Sequence, residues 1–500
     1  MRNKILVLKI SFLMLIFSAG CSSSFYDVNT NPNAAVDVPA DLILASALVN
    51  TGAYVNTNFD YLNLWMGYWN WSGNYSISST DKNYQFTNGF RNNTWASVYT
   101  TQLNNYDAVD KKAATAGQPL LQGMAKIMKS YCFQYLVDTY GNVPYTDALN
   151  GTGSILPKYD DAQTIYKDLI VQIDNAFTLF NKGTATYNPA SNDILFGGDI
   201  SMWQKFGNSL KLKILLRQSE VAAQSSYITA ELAKIKASGY GFLGAGQSAG
   251  INPGYQKAAG KLSPFWGTYG SNETDVNVEN YQVYRANLYS INFFTSTKDS
   301  FRLPQVYAPV GGKGTTFAAR YFGAYGADVV PNTQISGFGP GLLQAYNQNA
   351  VIMSSNESLF DQAEAAFRGW IAGDTKALYQ AAVTESFINL KVPNATAAAQ
   401  IYYSQTGVSG VNYDVETNKL VLIIGQKWAS LNSVNPFEAW CDYRRLGFPA
   451  SLPISKDPTT SVPKIPLRLL YPASEYSYNT DNVTAQGTIS QFTTKIFWGK

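Results

Sequence analysis

The chain has 500 residues, 46% of them hydrophobic and only 14% charged, enough apolar material to bury a large core in one big domain or two lobes. A formal charge of +3 with no long basic run argues against a nucleic-acid partner. Histidine is absent, which excludes His-dependent triads, His-ligated zinc and the HExxH metalloproteases.

Residues 1–20 open with Arg2 and Lys4, continue through an apolar run interrupted by Lys9 and Ser11, and end in small residues. The run is too short for a membrane span and reads as a secretory leader. Ser18-Ala19-Gly20-Cys21 resembles a lipobox, in which Cys21 is lipidated and becomes the mature N-terminus. A multiply acylated cysteine carries more than one chain, enough for stable anchoring. Residues 22–39 are polar, with Asn29, Asn31 and Asn33 around Pro32, and read as a tether.

Helical periodicity starts near Ala40 and continues through Leu44 and Leu48. Further helices are predicted over 92–114, 119–139, 160–181, 200–220 and 227–238, with Asp160 or Asp161 capping the third of these. Residues 239–340 are rich in Gly, Pro, Asn and Tyr without sustained periodicity, and predict a loop-rich lobe with short strands. Helices resume over 357–372, 375–391, 395–403, 418–432 and 436–446, and 492–498 carries a short strand signal. The last helix has the strongest local punctuation. Asn435 can cap it, Pro436 fits its first position, and Glu438 stands where a capping box needs it. Phe437, Trp440, Cys441 and Arg444 share one face, Arg444 and Arg445 suit the dipole of the last turn, and Gly447 and Pro449 supply the stop.

That last helix lies in NPFEAWCDYRRLGFP (435–449), which resembles the C-terminal signature of the SusD/RagB family, nutrient-binding outer-membrane lipoproteins of Bacteroidetes. The likeness continues in Pro466-Leu467-Arg468-Leu469-Leu470-Tyr471-Pro472 with Glu475, Asn479 and Asn482. Upstream, DTYGNVPYTDAL (138–149) and PKYDDAQTIYKDL (157–169) are similar to the family's middle signatures. The resemblance implies a mainly α fold: degenerate tetratricopeptide-repeat helix pairs supporting an irregular, loop-rich ligand-binding lobe with few short strands. Trp203 to Leu210, faintly echoed by Trp428 to Leu431, fits the start of such a repeat. The expected organisation is a leader (1–20), a lipid-anchored tether (21–39) and one SusD-like domain (40–500). Within that domain, 40–238 and 341–447 form the helical scaffold, 239–340 the irregular lobe and 448–500 an irregular C-terminal segment.

The resemblance also implies a function. The protein would bind an oligosaccharide, or another nutrient such as a peptide, at the cell surface. It would deliver this ligand to a SusC-like TonB-dependent transporter while anchored to the outer membrane by its lipid. No chemistry, cofactor or metal is called for. Composition agrees: few charges beside 34 Tyr, 10 Trp and 26 Phe suit an extracytoplasmic protein handling neutral polar ligands.

Two stretches are candidate ligand sites. In DYLNLWMGYWNWSGNYS (60–76), Trp69, Trp71 and Tyr75 alternate with Asn70, Ser72 and Asn74. Aromatics beside amides are what a sugar requires, since its C–H face rests on a ring while amides bond its hydroxyls. In SPFWGTYGSN (263–272), Pro264 and Gly267 argue against a regular helix, so Trp266, Tyr269 and Asn272 read as loop contacts. The bland alternative for every one of these rings is core. The rival class is an enzyme, a lipid-anchored helical glycoside hydrolase drawing paired carboxylates from Asp138, Asp147, Asp160 and Asp161. A third is a purely structural partner. An enzyme would release new reducing ends from a polysaccharide, a binder would only be retarded on it, and a structural protein would do neither. Cys132 and Cys441 lie on apolar helix faces and read as buried free thiols. The Asx-rich stretch 188–199 lacks the EF-hand pattern and reads as solvated loop.

Overall fold

A computed structural model describes residues 37–183, 189 and 192–500. The leader, Cys21 and the tether through residue 36 lie outside the described residues, as does part of 188–199. The helices form where periodicity places them. Ala395–Tyr403 and Pro436–Leu446 have the expected bounds, and Pro119–Tyr140, Ala162–Lys182, Ile200–Arg217, Ser225–Ser238, Ser355–Phe367, Thr375–Asn389 and Lys419–Leu431 differ only at their ends. The stretch 92–114 is not one regular helix, because π-helical Val98–Leu103 joins Asn92–Ser97 to Asn104–Thr115.

Consecutive helices pack as pairs: Pro119–Tyr140 against Ala162–Lys182, and Ser355–Phe367 against Thr375–Asn389. Asp161 caps its helix by accepting from the Thr164 N–H at 2.9 Å. Two glycines let Ala162–Lys182 approach both its neighbours. A Cβ on Gly123 would lie 2.5 Å from the Phe180 ring, and one on Gly207 would lie 2.7 Å from Phe177. Cys132 and Cys441 are free and buried, as expected.

Strands are few and short. β1 (Trp69–Trp71) pairs antiparallel with β5 (Tyr284–Ala286), β2 (Val143–Pro144) with β3 (Tyr159–Asp160), and β4 (Ala249–Ile251) with β6 (Ala350–Met353). The irregular stretch is thus stitched to the chain before and after it. It also contains short helices, among them Pro264–Tyr269, Glu279–Val283 and Leu288–Ser296. The non-helical reading of 263–272 is therefore corrected: Pro264 occupies the first turn, where its missing N–H costs nothing. The strand expected over 492–498 is absent, and those residues form turns at 492–493 and 497–498 with irregular chain between them.

The capping box at Asn435 is also corrected. The Asn435 amide donates to Glu357 at 3.1 Å and makes no side-chain cap. Glu438 meets Lys213 at 3.3 Å and Arg217 at 2.5 Å. These charges belong to a buried network. Lys213 also pairs with Glu357, Arg217 with Asp138 at 3.2 Å, and Lys427 with Asp361 and Asp442 at 2.7 and 2.8 Å. Arg445 grips Glu364 at 2.5 and 2.7 Å. Asp138 further accepts from Tyr166 and, at 3.0 Å, from the Trp498 indole. Burial pushes Glu438 upward, but Arg217 and then Lys213 outweigh it and hold the carboxyl down to about 2. The helix Pro436–Leu446 turns Glu438, Asp442, Arg444 and Arg445 inward. Its charged residues are core.

Candidate ligand-binding site

β1 is covered on both faces, so the Trp–Asn–Trp alternation does not separate a wet side from a dry one. The Trp69 ring is 1% exposed and lies 5.0 Å from Tyr269, 4.9 Å from Tyr284 and 5.1 Å from Phe338. Its indole N–H donates to Ser433 Oγ at 2.6 Å. Tyr269 is buried with it and donates to the Thr57 carbonyl at 3.1 Å, and burial drives its phenol pKa well up. The two candidate stretches, about two hundred positions apart, do meet in the fold. They meet in the core. Trp71 is also buried, edge-on to Phe322, with the Lys82 ammonium 5.4 Å from its ring centroid. The expectation that Trp69 is a surface ring is corrected on these contacts.

The remaining members of the set reach solvent. Asn74 is exposed and accepts from the Asn332 backbone N–H at 2.8 Å, which leaves its own N–H groups free to donate outward. Tyr75 is half-buried beside it. Trp266 is half-buried, and among the described residues its indole N–H has no acceptor and its ring no aromatic partner. Asn272 shapes a turn, its side-chain oxygen accepting from Thr274 and Val276 N–H at 3.0 and 2.9 Å.

Two tyrosines that sequence reasoning missed are exposed on the segment hydrogen-bonded to this stretch, and with Asn74 and Tyr75 they make up the solvent-facing tyrosine rim. Tyr321 is 44% exposed and Tyr325 57%. Their segment is held to β1 and the loop after it: the Tyr321 carbonyl accepts from Asn70 at 2.7 Å, and the Val330 carbonyl accepts from the Gly73 N–H at 2.7 Å. The Lys456 ammonium sits 3.5 Å from the Tyr321 ring centroid and fixes that face. The available signal was local, since Tyr-Phe-Gly-Ala-Tyr-Gly (321–326) alternates rings with glycines inside the irregular stretch. The rim offers phenol rings, with one face of Tyr321 taken by Lys456, and an amide, a set that can stack a sugar face and bond its hydroxyls.

The acids named for a hydrolase have other partners. Asp138 is sealed in the core network, Asp160 accepts from the Tyr145 and Thr146 N–H groups at 2.9 Å each, and Asp161 caps a helix. Asp147 accepts from the Lys158 N–H at 3.4 Å. Among the described residues no helix is long and apolar enough to cross a membrane.

A SusD-like family model, described as starch-binding and associating with the outer membrane, matches residues 32–472. No curated protein matches. Several solved structures share the fold. A SusD-like protein from Bacteroides thetaiotaomicron is 22% identical with a TM-score of 0.70, covering 92% of this chain and 99% of that one. A chitin-binding SusD homologue from Flavobacterium johnsoniae is 18% identical with a TM-score of 0.73, covering 91% and 98%. A SusD homologue from Bacteroides uniformis is 20% identical with a TM-score of 0.74, covering 93% and 100%.

Proposed function

The chain belongs to the SusD-like family of starch-binding proteins associating with the outer membrane, and on that premise we propose that it captures an oligosaccharide at the cell surface and passes it to a SusC-like TonB-dependent transporter. The family match across residues 32–472 carries this reading. The exposed rim of Tyr321, Tyr325, Tyr75 and Asn74 supports it, and Trp266 is a second candidate platform. In this reading Cys21 bears the lipid, residues 22–39 are the tether, and the helical scaffold holds the irregular 239–340 stretch toward ligand. The protein binds and delivers; it does not cleave.

An exposed platform gains modest stacking, so single-site affinity is weak. A dissociation constant of about 1 mM corresponds to about −4 kcal/mol. Losing one stacking ring costs roughly 1–3 kcal/mol by analogy with base stacking. The test is electrophoresis through gels containing soluble starch or a soluble chitin derivative, with reducing ends assayed in parallel. The expected result is retardation of the wild type on at least one glycan, loss of it in the Tyr321→Ala, Tyr325→Ala double variant, and no new reducing ends. Unretarded wild type on every glycan would overturn the capture reading, and new reducing ends would replace it with hydrolysis. Delivery is tested by crosslinking native membranes. A lid over a transporter mouth should bury more than roughly 2,000 Å², and consistent recovery of the protein without a β-barrel partner would remove the transporter from the proposal.

A further inference from the structure

Away from the tyrosine rim, a well-formed cavity opens between the end of the helix Ala40–Thr57, the 341–349 loop, and the ends of the helices Thr375–Asn389 and Lys419–Leu431. Its volume is about 350 Å³, within the roughly 300–1,000 Å³ of small-ligand pockets. Three lining amides share one arrangement. Asn56 donates to the Gly52 and Val351 carbonyls at 2.8 and 3.1 Å. Gln344 donates to the Gly341 and Asn389 carbonyls at 2.7 and 2.8 Å. Asn389 donates to Ser355 Oγ and Asn356 Oδ1 at 3.0 and 2.7 Å. In each case the NH2 end is fully engaged and, among the described residues, the side-chain oxygen has no donor. The cavity therefore presents three acceptors whose orientation is fixed before anything binds.

Three further features narrow the ligand. Asn349 offers the opposite polarity, because its oxygen accepts from Asn252 at 2.9 Å while its N–H groups have no acceptor among the described residues. Phe265, Leu342 and Val434 supply apolar wall between the amides. No carboxylate lines the cavity among the described residues, and Lys391 stands among the lining groups, so a bound cation has neither a counter-charge nor a field that favours it. Oriented amide acceptors, the Asn349 donor, the hydroxyls of Ser248, Ser386 and Ser433 and C–H-compatible walls match a neutral unit rich in hydroxyl groups.

We infer that this cavity is a second binding site, for a single sugar unit or comparable polyol, separate from the tyrosine rim. The sugar's hydroxyls donate to the Asn56, Gln344 and Asn389 oxygens, one ring or chain oxygen accepts from Asn349, and its C–H face lies on Phe265 and Leu342. The inference does not depend on glycan capture at the rim. Its outcome is read with small ligands that the rim variants leave unaffected.

The test is saturation-transfer NMR and calorimetry on the full chain with four sugar probes, D-glucose, N-acetylglucosamine and a short oligosaccharide of each, and a dipeptide as control. Wild type and the Tyr321→Ala, Tyr325→Ala variant should bind at least one free monosaccharide alike. Asn56→Leu, which keeps volume but removes an acceptor, should weaken that binding about 3- to 10-fold. Val434→Trp, which fills the cavity, should abolish it. Asn349→Ala is the companion variant in case either of those fails to fold, and it should weaken binding with no change in melting temperature. Binding of the oligosaccharide but of neither monosaccharide, with the same sensitivity to cavity variants, would assign the site to chain ends. Absence of all sugar binding in the wild type, binding indifferent to folded cavity variants, or preference for a control dipeptide would overturn the inference.

Discussion

Trp69→Ala separates a ring that holds the fold from a ring that holds a ligand. The indole packs among Tyr269, Tyr284 and Phe338 and donates to Ser433. Truncating a buried Trp to Ala costs about 3–5 kcal/mol through lost transfer energy and the cavity left behind. Removing the donor to Ser433 adds about 1 kcal/mol, because Ser433 is itself buried. The expected loss is therefore about 4–6 kcal/mol. Unfolding entropy of about 2.1 cal/mol/K per residue gives about 1 kcal/mol/K for 500 residues, so the midpoint should fall by about 4–6 °C. Trp266→Ala is the matched control: half-buried and without a ring or hydrogen-bond partner, it should shift the midpoint by about 1 °C. Scanning calorimetry reads both. If Trp69→Ala melts within 1 °C of wild type yet loses glycan retardation, the ring is a ligand platform and the burial argument fails.

Lys213→Met leaves Glu357 and Glu438 facing each other in the core and should cost about 3–5 kcal/mol by urea titration; Lys257→Met, which breaks an exposed pair with Asp275, should cost less than about 1 kcal/mol. Because Glu438 is held down to about 2, its contribution is complete above the unfolded-state value and is lost as pH falls toward 2. The wild type should therefore lose melting temperature through this window more steeply than Glu438→Gln, whereas Asp138, pushed up by burial, contributes in the opposite sense; equal slopes would refute the assignment. Gly323 has φ +72°, and a Cβ there would overlap Ser455 Oγ and lie 2.5 Å from the Asp457 nitrogen. Gly323→Ala should cost at least about 2 kcal/mol and should reduce glycan retardation by displacing Tyr321 and Tyr325, both checked on the same preparation. Cys21→Ala should move the protein from the membrane to the soluble fraction without changing its melting curve, and unchanged fractionation would rule out the lipid anchor.

Helices were legible because their signals are local. Ala395–Tyr403 and Pro436–Leu446 begin and end where periodicity, proline and glycine place them. Failures began where a side chain had a distant choice. Asn435 and Glu438 have capping-box spacing, but Glu357, Lys213 and Arg217 lie far away in sequence and offer charged partners that a local cap cannot match. β1 and β4 pair with strands a hundred positions or more away, so no short window reveals them. The aromatic run 60–76 was correctly singled out as unusual. Whether its rings face water depended on Tyr269, Tyr284 and Phe338 arriving from another part of the chain. The sugar-sized cavity was invisible for a related reason: its three oriented amides come from three separate segments, each unremarkable alone.

The hydrogen bond from Trp498 to Asp138 spans 360 positions, and it governs the order in which the molecule can be made. Glu438 and Arg445 complete ion pairs whose other halves lie on helices much earlier in the sequence, and Asp442 completes one with Lys427 on the helix just before it. A nascent chain lacking its last sixty or so residues therefore holds Lys213, Arg217 and Lys427 without their full complement of carboxylates. Such charges keep their water, so the partial chain cannot dry its centre and lock. Closing loops of this length makes folding slow, in the manner of any topology dominated by distant contacts. The same arrangement protects against premature commitment: the protein reaches its final packing only when the whole chain is present, in whatever compartment that occurs.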